Sequence, residues 1–269
     1  MLRPGSGRSV ERPIRHGRAL LLRGVRTLRG GPLDQTPKNR GRRRAEGPHP
    51  GVPGLILYAI TDRRLAFSEE GLLGQASRLL RSGVDWLQIR EKDLPDGALC
   101  AVLGALRFEA LRFETRLLVN GRPDLALAAG ASGVHLPASG LPTDEVRRLC
   151  PPPMFVVRSC HSVKEVRTAA DLGADAVTLG PVFDTPSKRA FGAPLGLGTL
   201  EEACRAVSIP VLAIGGVGIP DIPRIRAAGA AGLAAIRLFA ETPNPSATVA
   251  DIRRQCPDGP PAPPGPRIF

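Results

Sequence analysis

One spacing recurs four times in this chain and restricts its fold more than any single motif does. The segments R-S-G-V-D-W-L-Q-I, A-G-A-S-G-V-H-L, L-G-A-D-A-V-T-L and A-G-A-A-G-L-A-A-I share one design. Each closes a helical pattern on a glycine (Gly83, Gly130, Gly173 or Gly229) and then enters an apolar run. Glycine takes the left-handed conformation that ends a helix without a side-chain penalty. The run that follows reads as a buried strand.

The rest of the chain fits around these units. Strand candidates are LILYAIT (55–61), DWLQIR (85–90), RLLVN (116–120), GVHL (133–136), MFVVRS (154–159), DAVTLG (175–180), PVLAIGG (210–216) and GLAAI (232–236). The four repeats fall on the second, fourth, sixth and eighth of them, and Ala/Leu/Arg-rich helical stretches lie between. This alternation predicts one α/β domain, a (β/α)8 TIM barrel, with a doubly wound open sheet as the alternative. In a barrel the loops leaving the C-terminal ends of the strands share one mouth, and function collects there.

Charge matters by its location. The formal net charge is +12, yet residues 1–50 hold 12 Arg, one Lys and three acids, so the other 219 residues carry about +2. Residues 1–50 are expected to form a disordered basic extension, residues 51–257 the barrel, and residues 258–269 a Pro-rich tail. The extension reads as a nucleic-acid arm, a targeting segment, a dispensable addition, or a gene start placed upstream of a true one near Val52. The barrel itself is not expected to bind nucleic acid. No run of about 18 apolar residues is present, so no membrane partner is expected. Five cysteines at scattered spacing, without C-x-x-C, predict a cytoplasmic protein with no structural zinc.

Reading just past each strand gives the candidate site. Gln88, Arg90 and Lys92 alternate onto one face and offer charge-assisted bonds to an anion, or else form a solvated edge paired with Glu91 and Asp93. Asn120 ends the third strand. His135 sits on the fourth, as a proton carrier or as a satisfied structural residue. Ser159, Cys160 and His161 end the fifth, and His161 reads either as a catalyst or as a turn histidine. Thr185, Ser187, Lys188 and Arg189 lie on a long loop suited to cover a phosphate. Gly215 and Gly216 bare the backbone toward an anion, and Ile236 and Arg237 follow the eighth strand, where barrels often hold phosphate. Together these predict an enzyme for a phosphorylated small molecule, with histidine moving the proton.

The order Y-A-I-T-D, Q-I-R-E-K, V-N-G-R-P-D-L-A-L, G-V-H-L-P, S-C-H-S, L-G-P-V-F-D-T-P-S-K and A-I-G-G-V resembles the thiamine phosphate synthase/TenI superfamily over about residues 55–240. The resemblance implies one of two activities. A synthase couples a pyrimidine pyrophosphate to a thiazole phosphate and needs Mg²⁺. The TenI branch includes a thiazole tautomerase, which aromatises a thiazole carboxylate phosphate without a metal.

The synthase pattern places acids for Mg²⁺ after the third and fourth strands. Here those stretches read Asn120-Gly121 and Pro137-Ala138-Ser139-Gly140. The resemblance therefore favours the tautomerase, with His161 catalytic and no cofactor. Gln88, Arg90 and Lys92, together with Thr185-x-Ser187-Lys188, match the synthase's anion ligands and keep that activity as the alternative, with Mg²⁺. In either reading, Gln88, Arg90, Lys92, Asn120, Ser159, Thr185, Ser187, Lys188, Gly215, Gly216, Ile236 and Arg237 are the substrate-binding residues. Arg237 stands where the family usually has Ser. The expected partners are the phosphorylated thiazole, the pyrimidine pyrophosphate for the synthase, and a second copy of the chain in a homodimer. A third reading is a non-catalytic sensor of a thiamine precursor.

Overall fold

Short aliphatic runs without polar alternation need cover on both faces, and in this chain a helix follows each of them. The computed structural model describes residues 54–65, 71–186, 188–189 and 192–256. The basic extension and the Pro-rich tail lie outside the described residues. In chain order the elements are β1 (Ile56–Ile60), α1 (Gly71–Arg81), β2 (Trp86–Ile89), α2 (Asp96–Arg112), β3 (Arg116–Asn120), α3 (Pro123–Ala129), β4 (Gly133–Leu136) and α4 (Thr143–Leu149). They continue with β5 (Phe155–Cys160), α5 (Val163–Asp171), β6 (Ala176–Leu179), α6 (Gly196–Ala206), β7 (Val211–Ile214), α7 (Ile222–Ala227), β8 (Gly232–Ala235), α8 (Arg237–Ala240) and α9 (Pro245–Arg254).

The strands pair in sequence order, all parallel, and β8 returns to β1 to close the barrel. Ile56 lies opposite Gly232 and Ala59 opposite Ala235. Closure decides between barrel and open sheet in favour of the barrel. Most strands are shorter than the apolar runs that predicted them. Thr61, Arg90, Gly180, Gly215, Gly216 and Ile236 lie past the strand ends, where the chain diverges toward the next helix, and so belong to the mouth.

The repeat has a structural cause. Gly83, Gly130, Gly173 and Gly229 all have positive φ, between 64° and 91°. Two residues after the glycine, a side chain reaches back to the preceding strand. Leu57 N–H donates to Asp85 at 2.7 Å, Leu117 N–H to Ser132 at 3.3 Å, and Val156 N–H to Asp175 at 2.7 Å. In the fourth copy Ala231 has no acceptor to offer. The two aspartates are themselves held, Asp85 by Arg253 at 2.7 Å and Asp175 by Arg147 at 2.5 Å.

Strand alternation sorts the core into two layers. Leu57, Leu87, Leu117, Val156, Val177 and Leu233 face the helices and pack with Leu79, Leu103, Val146, Val166, Leu200 and Ile252. Each such aliphatic side chain contributes about 1.5–3 kcal/mol on full burial. Ile56, Tyr58, Ile60, Trp86, Leu118, Val157, Leu212 and Ala234 fill the barrel interior. At the N-terminal end the interior is plugged by rings. Trp86 meets Phe155 edge-on at 5.1 Å, and the Arg116 guanidinium lies over Phe155 at 4.1 Å. Above this floor the inward positions carry Gln88, His135, Ser159 and Thr178, which makes the C-terminal mouth the place for chemistry.

Candidate active site at the barrel mouth

The end of β2 carries the first cluster. Trp86 points inward, so alternation brings Gln88 inward as well, and its amide donates to Asn120 Oδ1 at 3.2 Å. Arg90 N–H donates to the buried Thr61 hydroxyl, which fixes the backbone as it leaves the strand. The acids nearby are committed elsewhere. The Arg63 guanidinium holds Glu91 at 2.9 Å and Asp93 at 2.8 Å. The solvated-edge reading assigned those acids to Arg90 and Lys92. The structure assigns them to Arg63, a residue the sequence reading did not single out. Arg90, then partial burial, then Lys188 hold the Lys92 ammonium below its usual pKa. Three cations from two loops thus bear on one region of the mouth.

Deeper in the barrel lies an uncharged network. His135 is buried, with Nδ1 3.0 Å from the Tyr58 hydroxyl and Nε2 2.7 Å from Ser159 Oγ. Burial first, then the positive charge of Arg90 and Arg158, push the His135 pKa down to about 3, so the imidazole is neutral near pH 7. Of the two readings of His135, the satisfied interior residue is the one the geometry carries. Thr178 lies opposite Ser159 in register and is also buried. Tyr58 and Thr178 were not predicted. Their alternation is visible in the sequence, but nothing there says which parity faces inward.

His161 follows β5 at the rim and is exposed. Its Nδ1 lies 2.5 Å from the Gly180 carbonyl, which can only accept, so Nδ1 carries the proton and Nε2 is left as the basic nitrogen. Its backbone N–H donates to Glu165 at 2.7 Å, and Ser162 caps α5 through the Glu165 N–H. The S-C-H-S turn therefore presents an imidazole in one tautomer. Cys160 beside it is buried, and burial, aided by Glu165, pushes its thiol up to about 12, which keeps it protonated and unreactive.

The remaining predicted residues divide. Thr185 and Lys188 lie on the long β6 loop, which is laid against the end of β7; Ser187 lies outside the described residues. Phe183 N–H donates to the Gly215 carbonyl at 3.0 Å. Gly215 and Gly216 have φ of 88° and 67°, and a Cβ there would come within 2.6 Å of Pro181 and 2.4 Å of the Asp184 carbonyl. Packing of that loop is a second reason for the two glycines, beside the anion contact expected from sequence. Ile236 packs against the interior cluster. Arg237 opens α8 directly after β8 and pairs with Glu241 at 3.7 Å, with both side chains partly exposed.

Mg²⁺ is the cofactor that the resemblance raises, and the donor set can be tested for it. The two stretches that would supply carboxylates present Gly121 and Ala138-Ser139-Gly140. The nearest acids are engaged by arginines, Asp124 by Arg122 and Asp144 by Arg148. Among the described residues no three His, Cys, Asp or Glu side chains converge as metal ligands. These residues do not fit a carboxylate-held Mg²⁺, so the chemistry is derived from the chain's own side chains.

A family model described as "Thiamine monophosphate synthase" matches residues 57–239. The chain belongs to this family. Family members of similar sequence include the thiamine-phosphate synthase of Roseiflexus castenholzii, 40% identical over 74% of this chain and 87% of that protein. Another is the thiamine-phosphate synthase of Anaeromyxobacter dehalogenans, 41% identical over 67% of this chain and 81% of that protein. Among solved structures, the thiamine phosphate pyrophosphorylase of Pyrococcus furiosus superposes with a TM-score of 0.68 at 27% identity. It covers 76% of this chain and 96% of its own. These family members are named as synthases and not as tautomerases, which shifts the weight from the isomerase expected from sequence to the transferase held as its alternative. Among the described residues no helix is long and apolar enough to cross a membrane.

Proposed function

We propose that the barrel mouth binds a thiazole phosphate and a pyrimidine pyrophosphate and that the chain joins them as a thiamine-phosphate synthase. The observation that carries this reading is the mutual crowding of Arg90, Lys92 and Lys188. Like charges crowded onto one region favour a ligand with several negative charges, and a pyrophosphate fits better than a single phosphate. In the coupling, the thiazole nitrogen forms a bond to the pyrimidine methylene carbon as that carbon's bond to the pyrophosphate oxygen breaks. The three cations stabilise the charge growing on the leaving group. Gln88, Asn120 and Ser159 bind the ring of the substrate, and Thr185, Ser187, Gly215, Gly216 and the backbone at Ile236 hold the thiazole phosphate. The names carried by the family members support the same reading.

A second reading, the thiazole tautomerase, is favoured by one specific observation. His161 presents a basic Nε2 at the rim while positions 121 and 140 offer no carboxylate. There His161 would move the proton that aromatises the thiazole ring. One experiment separates the two. The purified chain receives the thiazole phosphate with the pyrimidine pyrophosphate, and separately the non-aromatic thiazole carboxylate phosphate, each with EDTA and with Mg²⁺. Thiamine phosphate formed in the first set supports the synthase. Aromatisation in EDTA, with no coupling under either condition, replaces it with the tautomerase. Binding of both ligands without turnover would return the sensor reading.

A further inference from the structure

The line of contacts from Tyr58 through His135 to Ser159 has a direction that its surroundings fix. Tyr58 is fully buried, and burial keeps its phenol neutral. If its hydroxyl accepted a bond from His135, the phenolic proton would be left buried without an acceptor, the costly arrangement. The hydroxyl therefore donates to Nδ1 over the 3.0 Å contact. The imidazole is neutral and carries one proton, which is then on Nε2. Over the 2.7 Å contact that proton is donated to Ser159 Oγ. A serine hydroxyl that accepts from an imidazole still has its own proton to give. Beside it on β6, Thr178 Oγ1 is buried and has no hydrogen-bond partner among the described residues.

From this geometry we infer that Tyr58 and His135 are positioning residues that hold Ser159 as a hydrogen-bond donor. With Thr178 beside it, Ser159 makes an uncharged subsite selecting an acceptor atom on the substrate's ring system. The inference rests on the reading of the mouth as a site for phosphorylated heteroaromatic substrates. The cations of the rim take the phosphates, and the ring reaches the uncharged pair below. A substrate presenting an N–H or NH₂ to Ser159 leaves the serine proton unpaired and binds less well, because a buried donor without an acceptor disfavours the complex. The Thr178 hydroxyl can turn to donate or accept. His135 acts on the ligand only through Ser159.

The direction of the line is measured first and without substrate. In the full chain labelled with ¹⁵N-histidine, long-range proton–nitrogen correlations assign the protonated ring nitrogen, and His135 is identified by the signals lost in His135→Gln. The proton is expected on Nε2, and Tyr58→Phe is expected to release it to a mixture of tautomers. A proton on Nδ1, or a wild-type mixture, overturns the inference. The second measurement is the Kd for the pyrimidine pyrophosphate by calorimetry, since its ring nitrogens are acceptors that take no part in the coupling. Tyr58→Phe is expected to weaken binding about three- to tenfold when Ser159 is present and less than about twofold in Ser159→Ala. His135→Gln, which keeps an acceptor and a donor, should stay within about threefold of wild type, while His135→Leu should not. Equal losses with and without Ser159 would mean that the line only supports the barrel, and the inference falls. If no variant, wild type included, binds the pyrimidine pyrophosphate, the functional reading fails, and the tautomer measurement alone decides the direction of the line.

Discussion

His161 gives its Nδ1 proton to the carbonyl oxygen of Gly180 across 2.5 Å, which ties the turn after β5 to the loop after β6. The tie does two things. It selects the tautomer with Nε2 available, and it anchors the ring at the base of the loop that carries Thr185 and Lys188. A proton-moving role and a loop-holding role are separable by assay. In aromatisation of the thiazole carboxylate phosphate, His161→Ala is expected to lower kcat about 10²–10⁴-fold with KM changed little. In the coupling assay the same variant should lose less than about tenfold. Losses of equal size in both would show that His161 holds the mouth together and moves no proton.

The crowding of Arg90, Lys92 and Lys188 predicts a measurable repulsion. Arg90 is the largest cause of the lowered Lys92 pKa, so Arg90→Gln should raise it toward the ordinary lysine value. The same change should weaken inorganic pyrophosphate about tenfold or more at low salt, and by less at high salt, because exposed charges are screened. Calorimetry at two ionic strengths, with the Lys92 pKa followed by NMR, checks both. Unchanged pyrophosphate affinity would remove the observation on which the synthase reading stands.

Much of the fold and part of the site could be read from the residues. The strand–helix alternation and the glycine that closes four of the helices specify parallel strands with covered faces, and a closed barrel follows from their number. The mouth was found because the rule about strand ends is geometric and needs no contacts. What could not be read was partnership. Glu91 and Asp93 sit beside Arg90 and Lys92 in sequence, yet Arg63, from the loop after β1, takes both. The pairing of Arg237 with Glu241, four residues on, is likewise a contact that its place after the eighth strand does not announce. Gly215 and Gly216 looked like an anion nest, and the β6 loop packed on them is a tertiary fact that no local pattern carries. The inward or outward sense of His135 depended on the parity of β4, which only the closed barrel sets.

Neutral burial of His135 makes stability depend on acid. Its pKa is about 3 in the fold, against 6.5 for an ordinary histidine. Between those values the unfolded chain binds a proton that the folded chain refuses, so stability rises with pH through the window and levels off above it. Acidifying from pH 6.5 toward 3 should cost up to about 1.4 kcal/mol per pH unit from this residue. Urea unfolding of wild type and His135→Gln between pH 4 and 7 isolates the effect from the carboxylates. The two curves should run parallel above about pH 7, and wild type should fall more steeply below it. Parallel curves throughout would mean that His135 takes up its proton in the fold as readily as in the unfolded chain.

Asp175 supports the barrel where the repeat predicts a contact. Its carboxylate accepts the Val156 N–H at the start of β5 and pairs with Arg147 from α4, whose guanidinium also donates to the Gly173 and Met154 carbonyls. Removing the side chain strands the Val156 backbone donor and takes from Arg147 its charged partner, leaving it its carbonyl contacts. Asp175→Ala is therefore expected to lower the unfolding free energy by about 2–3 kcal/mol. Asp175→Asn keeps an acceptor for Val156 and loses only the charge pairing. Both partners are partly exposed, so that pairing is weakened by solvent and the loss should be about half as large. Ser132→Ala, which removes the uncharged 3.3 Å bond at the corresponding place on β3, should cost less than about 1 kcal/mol. Urea midpoints at one pH give the ranking directly. A Ser132→Ala loss equal to that of Asp175→Ala would mean that the contact works through backbone geometry and that the charge of Asp175 adds nothing.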